Sequence, residues 1–183
     1  ANMKKVLYIF GTLTDDDIEW LIANGKKEYY SEGDVIIERN SKIRTLYIAL
    51  DGVCSIFVGK EKMKKIAELK SGEIIGEMSF VDSSPTSATV VADSDLLLYS
   101  ISTDVIHKKI ITDSVFGLRF YHAIAIFLAD RLRAVTGLYG YGSAAELDDE
   151  IRDGDELDDL IIDNVALAGD RFRRMLKRMI ESA

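Results

Sequence analysis

The sequence predicts a mainly β domain framed by helices, and three observations carry that prediction. Between Lys26 and Ser102 short apolar runs alternate with turn residues at regular spacing, which points to a sandwich, roll or barrel. Ahead of them Thr14 opens a helix. After Thr103 the helical apolar period returns.

The first helix is announced by its cap. The Thr14 hydroxyl is placed to accept from the Asp17 amide, Asp15, Asp16 and Asp17 suit the positive end of the helix dipole, and Leu13 is set to staple onto Ile18. Ile18, Leu21 and Ile22 form its apolar stripe, Trp20 reads as a packing residue, and Gly25 stops it. Strands follow at "KKEYY", "DVIIE", "TLYIAL", "VCSIFV", "KIAEL", "SATVVA" and "LLLYSI". Between them lie Ser31-Glu32-Gly33-Asp34, Asp51-Gly52, Gly59-Lys60 and Asp93-Ser94. Asp51-Gly52 predicts a hairpin closed by a type I′ turn, which needs positive φ at both central residues. Cys54, inside a strand, reads as a buried inert thiol.

"TDVIHKKII" predicts a short helix ending near Asp113, and a longer one runs from about Val115 to Leu138. On it Leu118, Tyr121, Ala125, Leu128, Leu132 and Val135 alternate at spacings of three and four, the pattern of an a/d seam. Phe116, Phe120, Ile124 and Phe127 make a second stripe on another face. Two apolar faces need two partners, so one is assigned to the β-domain and the other to a second copy of the helix; packing of the C-terminal tail there is the alternative. His122 reads as a packing or rim residue. Gly137, Gly140, Gly142 and Ser143 form a joint. Beyond it Ile161, Val165, Ala168, Phe172, Met175 and Met179 predict a terminal amphipathic helix, with Gly169 as its weak point.

Charge narrows the function. From Glu146 to Asp163 ten acids face one Arg152, so this segment carries −9 of a chain whose total is −8, leaving +1 elsewhere. A phosphate-tracking protein presents a basic face; here only Arg171, Arg173, Arg174, Lys177 and Arg178 cluster. The expectation is no nucleic-acid partner. The longest strongly apolar tract, Ala123–Leu128, is too short for a bilayer, so no membrane partner is expected either. One cysteine and no N-terminal apolar segment with a small-residue cleavage site point to a reducing cytoplasm. Two histidines and one cysteine form no nucleophile motif, and "DGDELDD" lacks EF-hand spacing. No catalytic residue, metal ligand or cofactor is assigned.

The chemistry-bearing stretch is "GEMSFVDSSPTSATVV". Converging backbone N–H groups at a helix start bind anions without a lysine. Gly76 permits close backbone approach, Glu77 offers an acceptor for a sugar hydroxyl, and Ser83, Thr86 and Ser87 offer hydroxyl donors. The same residues would also make a surface turn capped by its own serines.

The order of the parts resembles the cyclic nucleotide-binding domain family, which includes catabolite activator proteins and the regulatory subunits of cAMP-dependent protein kinase. The resemblance runs from about Thr12 to Leu138. It rests on "EGDVII", on "LYIALDGVCSIF" and on "LKSGEIIGEMSFVDSSPTSATVVADSDLLLYSIS", which looks like the family's phosphate-binding cassette. It implies a jelly-roll-like β-roll with flanking helices over 12–112, a long lid and dimerisation helix over 113–138, and an added acidic linker and helix over 139–183. Gly76 and Glu77 match the residues that hold the ribose 2′-hydroxyl, and Met78 and Ser79 match cassette-helix positions whose backbone lines the site. Pro85 matches the proline before the phosphate-binding arginine, Thr86 stands in that arginine's place, Ser87 matches a small or hydroxylated position, and Ala88 a backbone donor. Where DNA-binding members carry a basic helix-turn-helix, this chain has "ELDDEIRDGDELDDLIID".

A hydrogen bond to a charged group is worth about 1.5–3 kcal/mol, so loss of the arginine costs roughly ten- to a hundred-fold in affinity. Two functions are thus expected. One is a non-enzymatic, homodimeric regulatory sensor for cAMP, cGMP or a similar anion, with a protein partner reached through the C-terminal helix. The other is a degenerate domain that binds no small ligand and serves as an assembly module.

Overall fold

The computed structural model describes residues 11–59 and 63–139 and, in the tail, Asp170, Arg171, Arg173, Arg174, Lys177, Arg178 and Glu181, all helical. The glycine joint beyond Tyr139, the acidic run and the apolar stripe of the terminal helix lie outside the described residues. The element order is α1 (Asp15–Asn24), β1 (Gly25–Tyr30), β2 (Val35–Ile37), β3 (Thr45–Asp51), β4 (Cys54–Val58), β5 (Lys64–Leu69) and β6 (Ile74–Ile75). Then come α2 (Glu77–Asp82), β7 (Thr89–Ala92), β8 (Leu96–Ser102), α3 (Thr103–Thr112) and α4 (Ser114–Tyr139).

The strands form two antiparallel four-stranded sheets, ordered β1-β8-β3-β6 and β2-β7-β4-β5. This is the expected antiparallel β-roll with flanking helices and a long C-terminal helix. Alternation along β3 shows how the sequence builds it. Leu46, Ile48 and Leu50 point toward the helices, while Ala49 points between the sheets. β8 repeats the division, with Tyr99 and Ile101 on the helix side and Leu96 and Leu98 inside the roll. The inner core adds Ile37, Cys54, Leu69, Ile75, Val90 and Ala92. Cys54 is fully buried, and that burial pushes its thiol pKa up to about 12, as befits an inert packing residue.

The Asp51-Gly52 turn departs from expectation. Only Gly52 has positive φ, and β3 and β4 belong to different sheets, so the pair makes no hairpin. It carries the chain from one sheet to the other. A Cβ on Gly52 would lie 2.3 Å from the Asp95 carbonyl oxygen, so the crossover needs glycine for space as well as for φ. Dipeptide chemistry specifies the bend, but not which strand receives the chain. The β4–β5 pair joined through Gly59 is a true hairpin, and β6 is a two-residue strand that its short apolar run did not announce.

The N-terminal helix begins as predicted. The Asp17 amide donates to the Thr14 hydroxyl (3.2 Å), and the Thr14 amide donates back to the Asp17 carboxylate (2.9 Å). Leu13 and Ile18 are buried together, and Trp20 packs edge-on against Phe116. At the far end Gly25 passes directly into β1, its amide donating to the Tyr99 hydroxyl at 3.0 Å. Asp17 has a second role, because it is buried and held by the Arg119 guanidinium through Nε (2.6 Å) and Nη2 (2.8 Å). This fork ties α1 to α4.

Burial raises the Asp17 pKa, but hydrogen bonds from Arg119 and Thr14 outweigh it and hold the carboxyl below its ordinary 3.8. A depressed folded-state pKa gives stability that is fully present above the unfolded value and lost as pH falls through the folded one. Asp17→Asn is therefore expected to cost about 2 kcal/mol at neutral pH. The gap to the parent should shrink on acidification below pH 3.8, which urea melts across a pH series would read.

Candidate functional site

The cassette is built on a bend that only glycine fills easily. Gly76 caps α2 in the left-handed region at φ +92°, and a Cβ there would meet Ile43 Cδ1 and the Thr45 carbonyl oxygen, each at 2.9 Å. The turn lets α2 start at Glu77, whose side chain points inward and is 2 % exposed. The Phe80 amide closes the first turn on the Gly76 carbonyl at 3.1 Å, and Ser83, also left-handed, ends the helix on Ser79. Ser79 is half-buried, and Met78 and Pro85 are exposed.

Glu77 meets a cation that the cassette does not contain. Arg131, on α4, hydrogen-bonds Glu77 Oε1 through Nη1 and the Ile74 carbonyl through Nη2 at 3.0 Å. Its guanidinium lies over the Phe127 ring, 4.4 Å from the centroid. Two of its five N–H donors are used in these bonds. A buried carboxylate needs such a partner, because leaving it alone would cost several kcal/mol.

Sequence reasoning missed Arg131, although a signal was present. Phe120, Ile124 and Phe127 are buried at spacings of four and three, and the next step of four along that stripe is Arg131. A charge continuing a buried apolar stripe has to be neutralised inside the fold. Reading only the cassette for cations overlooked it.

Thr86, in the expected arginine's place, is already engaged. Its hydroxyl donates to the Glu38 carbonyl (2.6 Å) and accepts from the Ser41 amide (3.1 Å). Backbone bonds run from the Thr86 amide to Ser41 (2.9 Å) and from the Asn40 amide to Thr86 (2.7 Å), with Asn40 left-handed at φ +65°. The Arg39 Nε donates to the Ser87 carbonyl at 3.3 Å. Ser87 is exposed and Ala88 half-buried. Thr86 therefore staples the cassette to the β2–β3 loop.

The cassette also touches the helices behind it. Phe80 stacks on His107 of α3 (centroids 4.7 Å apart, planes 7° apart) and packs against Phe120 and Tyr121 of α4. On the predicted seam of α4, Leu118 is 73 % and Leu132 63 % exposed. Tyr121 and Ala125 are exposed, Leu128 is half-buried against the core, and the Val135 side chain lies outside the described residues. His122 is exposed. Among the described residues no group of His, Cys, Asp and Glu is arranged to hold a metal ion, and no helix is long and apolar enough to cross a membrane.

The β-roll, the glycine-capped cassette helix and the long helix behind it define the class of fold. Residues 27–113 match the cyclic nucleotide-binding domain family model, and over that stretch the chain resembles the family. It is 30 % identical over 123 residues to a cyclic GMP-binding protein C of Dictyostelium discoideum, covering 66 % of this chain and 5 % of that one. It is 27 % identical over 92 residues to a cAMP-dependent protein kinase regulatory subunit of the same organism, covering 49 % and 28 %. The chain thus spans well under a third of either relative. The fold is that of a solved cyclic nucleotide-binding domain from Methylobacillus flagellatus, with TM-score 0.65, 19 % identity, and 72 % and 79 % of the two chains covered.

The Thr86 staple predicts a local effect. Thr86→Val keeps the shape but removes both hydroxyl bonds, so a loss of about 1 kcal/mol is expected. Faster amide exchange at Ser41 and in the cassette, with no change in the distant β4–β5 hairpin, would identify the staple in a hydrogen-exchange map.

Proposed function

We propose that the chain is a non-enzymatic regulatory sensor domain that binds a cyclic nucleotide, or a similar anion, against Gly76–Ser79 and Pro85–Ala88. Arg131 supplies the guanidinium that position 86 lacks. The observation that carries this reading is the buried Glu77 carboxylate joined to Arg131 of α4. In it, Glu77 accepts from the ribose hydroxyl, backbone N–H groups of the cassette meet the phosphate, and Arg131 turns a free N–H toward the ligand. Because Arg131 sits on α4, occupancy changes what holds that helix, and the helix carries the signal to a protein partner. Similarity to a cyclic GMP-binding protein and to a cAMP-dependent kinase regulatory subunit supports the ligand class.

Calorimetry with cAMP and cGMP tests it. Arg131→Ala is expected to weaken binding roughly ten- to a hundred-fold, the range of a lost charged hydrogen bond. Thr86→Arg should tighten it about ten-fold if the gained guanidinium outweighs the lost staple, and Glu77→Ala should abolish that gain. The second reading is an assembly module without a small ligand. It draws on the Thr86 hydroxyl being spent on Glu38 and Ser41 and on Glu77 already being paired. No heat with any nucleotide, in the parent or in Thr86→Arg, would decide for it.

Homodimerisation through α4 belongs to the same proposal. Leu118, Tyr121 and Leu132 leave a helical apolar face uncovered, while the opposite stripe is buried in the domain. Leu118→Glu with Leu132→Glu should give a soluble monomer by light scattering at tens of micromolar. A parent chain that is monomeric at that concentration would overturn the dimer.

A further inference from the structure

The C-terminal basic cluster has no part in the cassette, yet the structure gives it a seat. Arg171 Nε donates to Asp15 Oδ1 at 2.7 Å, and its Nη1 donates to the Leu13 carbonyl at 2.7 Å. Arg174 lies 3.7 Å from the same Asp15 carboxylate, and Arg178 hydrogen-bonds Glu19. Arg171, Arg174 and Arg178 recur at spacings of three and four on helical backbone, so they share one face. Asp15 and Glu19 are four apart on α1 and share one face too. The two helices therefore meet through complementary charged rows, and Arg171 is covered, its side chain being 14 % exposed.

We propose that this exposed acidic face of α1 is a docking site for a basic helix, and that its occupant is the chain's own C-terminal helical segment, seated in cis as a salt-sensitive strap. α1 is a consequential place for it. Asp15 and Glu19 face the strap, while Asp17, between them in sequence, is buried and gripped by Arg119 of α4. The helix that receives the strap is thus the one that holds the start of the long helix. Among the described residues the contacts are largely ionic, and all the paired side chains but Arg171 are substantially exposed. Exposed pairs are individually weak and screened by salt, so the strap seats and releases without unfolding the roll. A seated strap stiffens the α1–α4 joint, and release loosens it.

Hydrogen exchange on the full chain tests this, with circular dichroism confirming that each variant is folded. Arg171→Glu with Arg178→Glu should raise exchange in residues 170–181 about ten-fold and loosen α1. Adding Asp15→Lys and Glu19→Lys should restore protection by re-forming the pairs with reversed sign. Raising salt from about 0.05 to about 1 M, where the screening length falls to ~3 Å, should mimic release in the parent. Protection unchanged by the charge reversals, or by salt, would overturn the proposal. So would failure of the swapped charges to restore it, which would place the basic row on the acidic segment 146–163. Protection that grows with protein concentration would seat the helix on a second copy and overturn the cis arrangement.

Discussion

The structure turns on one buried carboxylate. Glu77 has been taken out of water at the start of a short helix, and an ionised group in that position is tolerated only with a partner. The partner arrives from Arg131, fifty-four residues further along the chain. That single requirement fixes three other things: Gly76 has to bend the chain left-handed so that Glu77 points inward, α4 has to lie across the back of the cassette, and Phe127 has to support the guanidinium. The geometry that buries Glu77 is thus the geometry that secures the long helix.

α4 is pinned at two charged points rather than one. Arg119 forks onto Asp17 of α1, and Arg131 reaches Glu77 of α2. These arginines are twelve residues apart, about 18 Å along a helix at 1.5 Å per residue. Between them Phe120, Ala123, Ile124 and Phe127 are buried and hold the helix by packing. Packing and ion pairs fix the same register, since a helix displaced by one residue would turn both the apolar stripe and the guanidinium groups away from their partners. Each pair has one end well buried, so breaking either leaves a stranded charge, a larger loss than an exposed pair would show.

Threonine at position 86, where the family resemblance leads one to expect arginine, takes on a structural sense in this setting. A long charged side chain at that point would have to be held by ligand or solvent. Threonine instead satisfies the Ser41 amide and the Glu38 carbonyl, closing the β2–β3 loop against the cassette. The contact between the cassette and that loop is thereby ordered by the protein itself. The guanidinium that meets the Glu77 carboxylate belongs to α4.

The sequence by itself determined the local features whose physics is local. The Thr14 cap with its Asp17 partner, the strands at β3 and β8, the buried Phe116–Phe127 stripe and the cassette's glycine-glutamate start could all be read from neighbours a few residues away. Burial of Cys54 followed from its place inside a predicted strand. Tertiary structure decided whatever depended on long-range pairing. The Asp51-Gly52 bend was legible, but its role as a crossover was not, because sheet membership is set by strands forty residues distant. The same holds for the candidate site: Gly76 and Glu77 were legible as residues, whereas the Arg131 contact and the Thr86 staple were not. A side chain's partner across the fold depends on which helix packs against which strand, and no spacing within one segment encodes that distance.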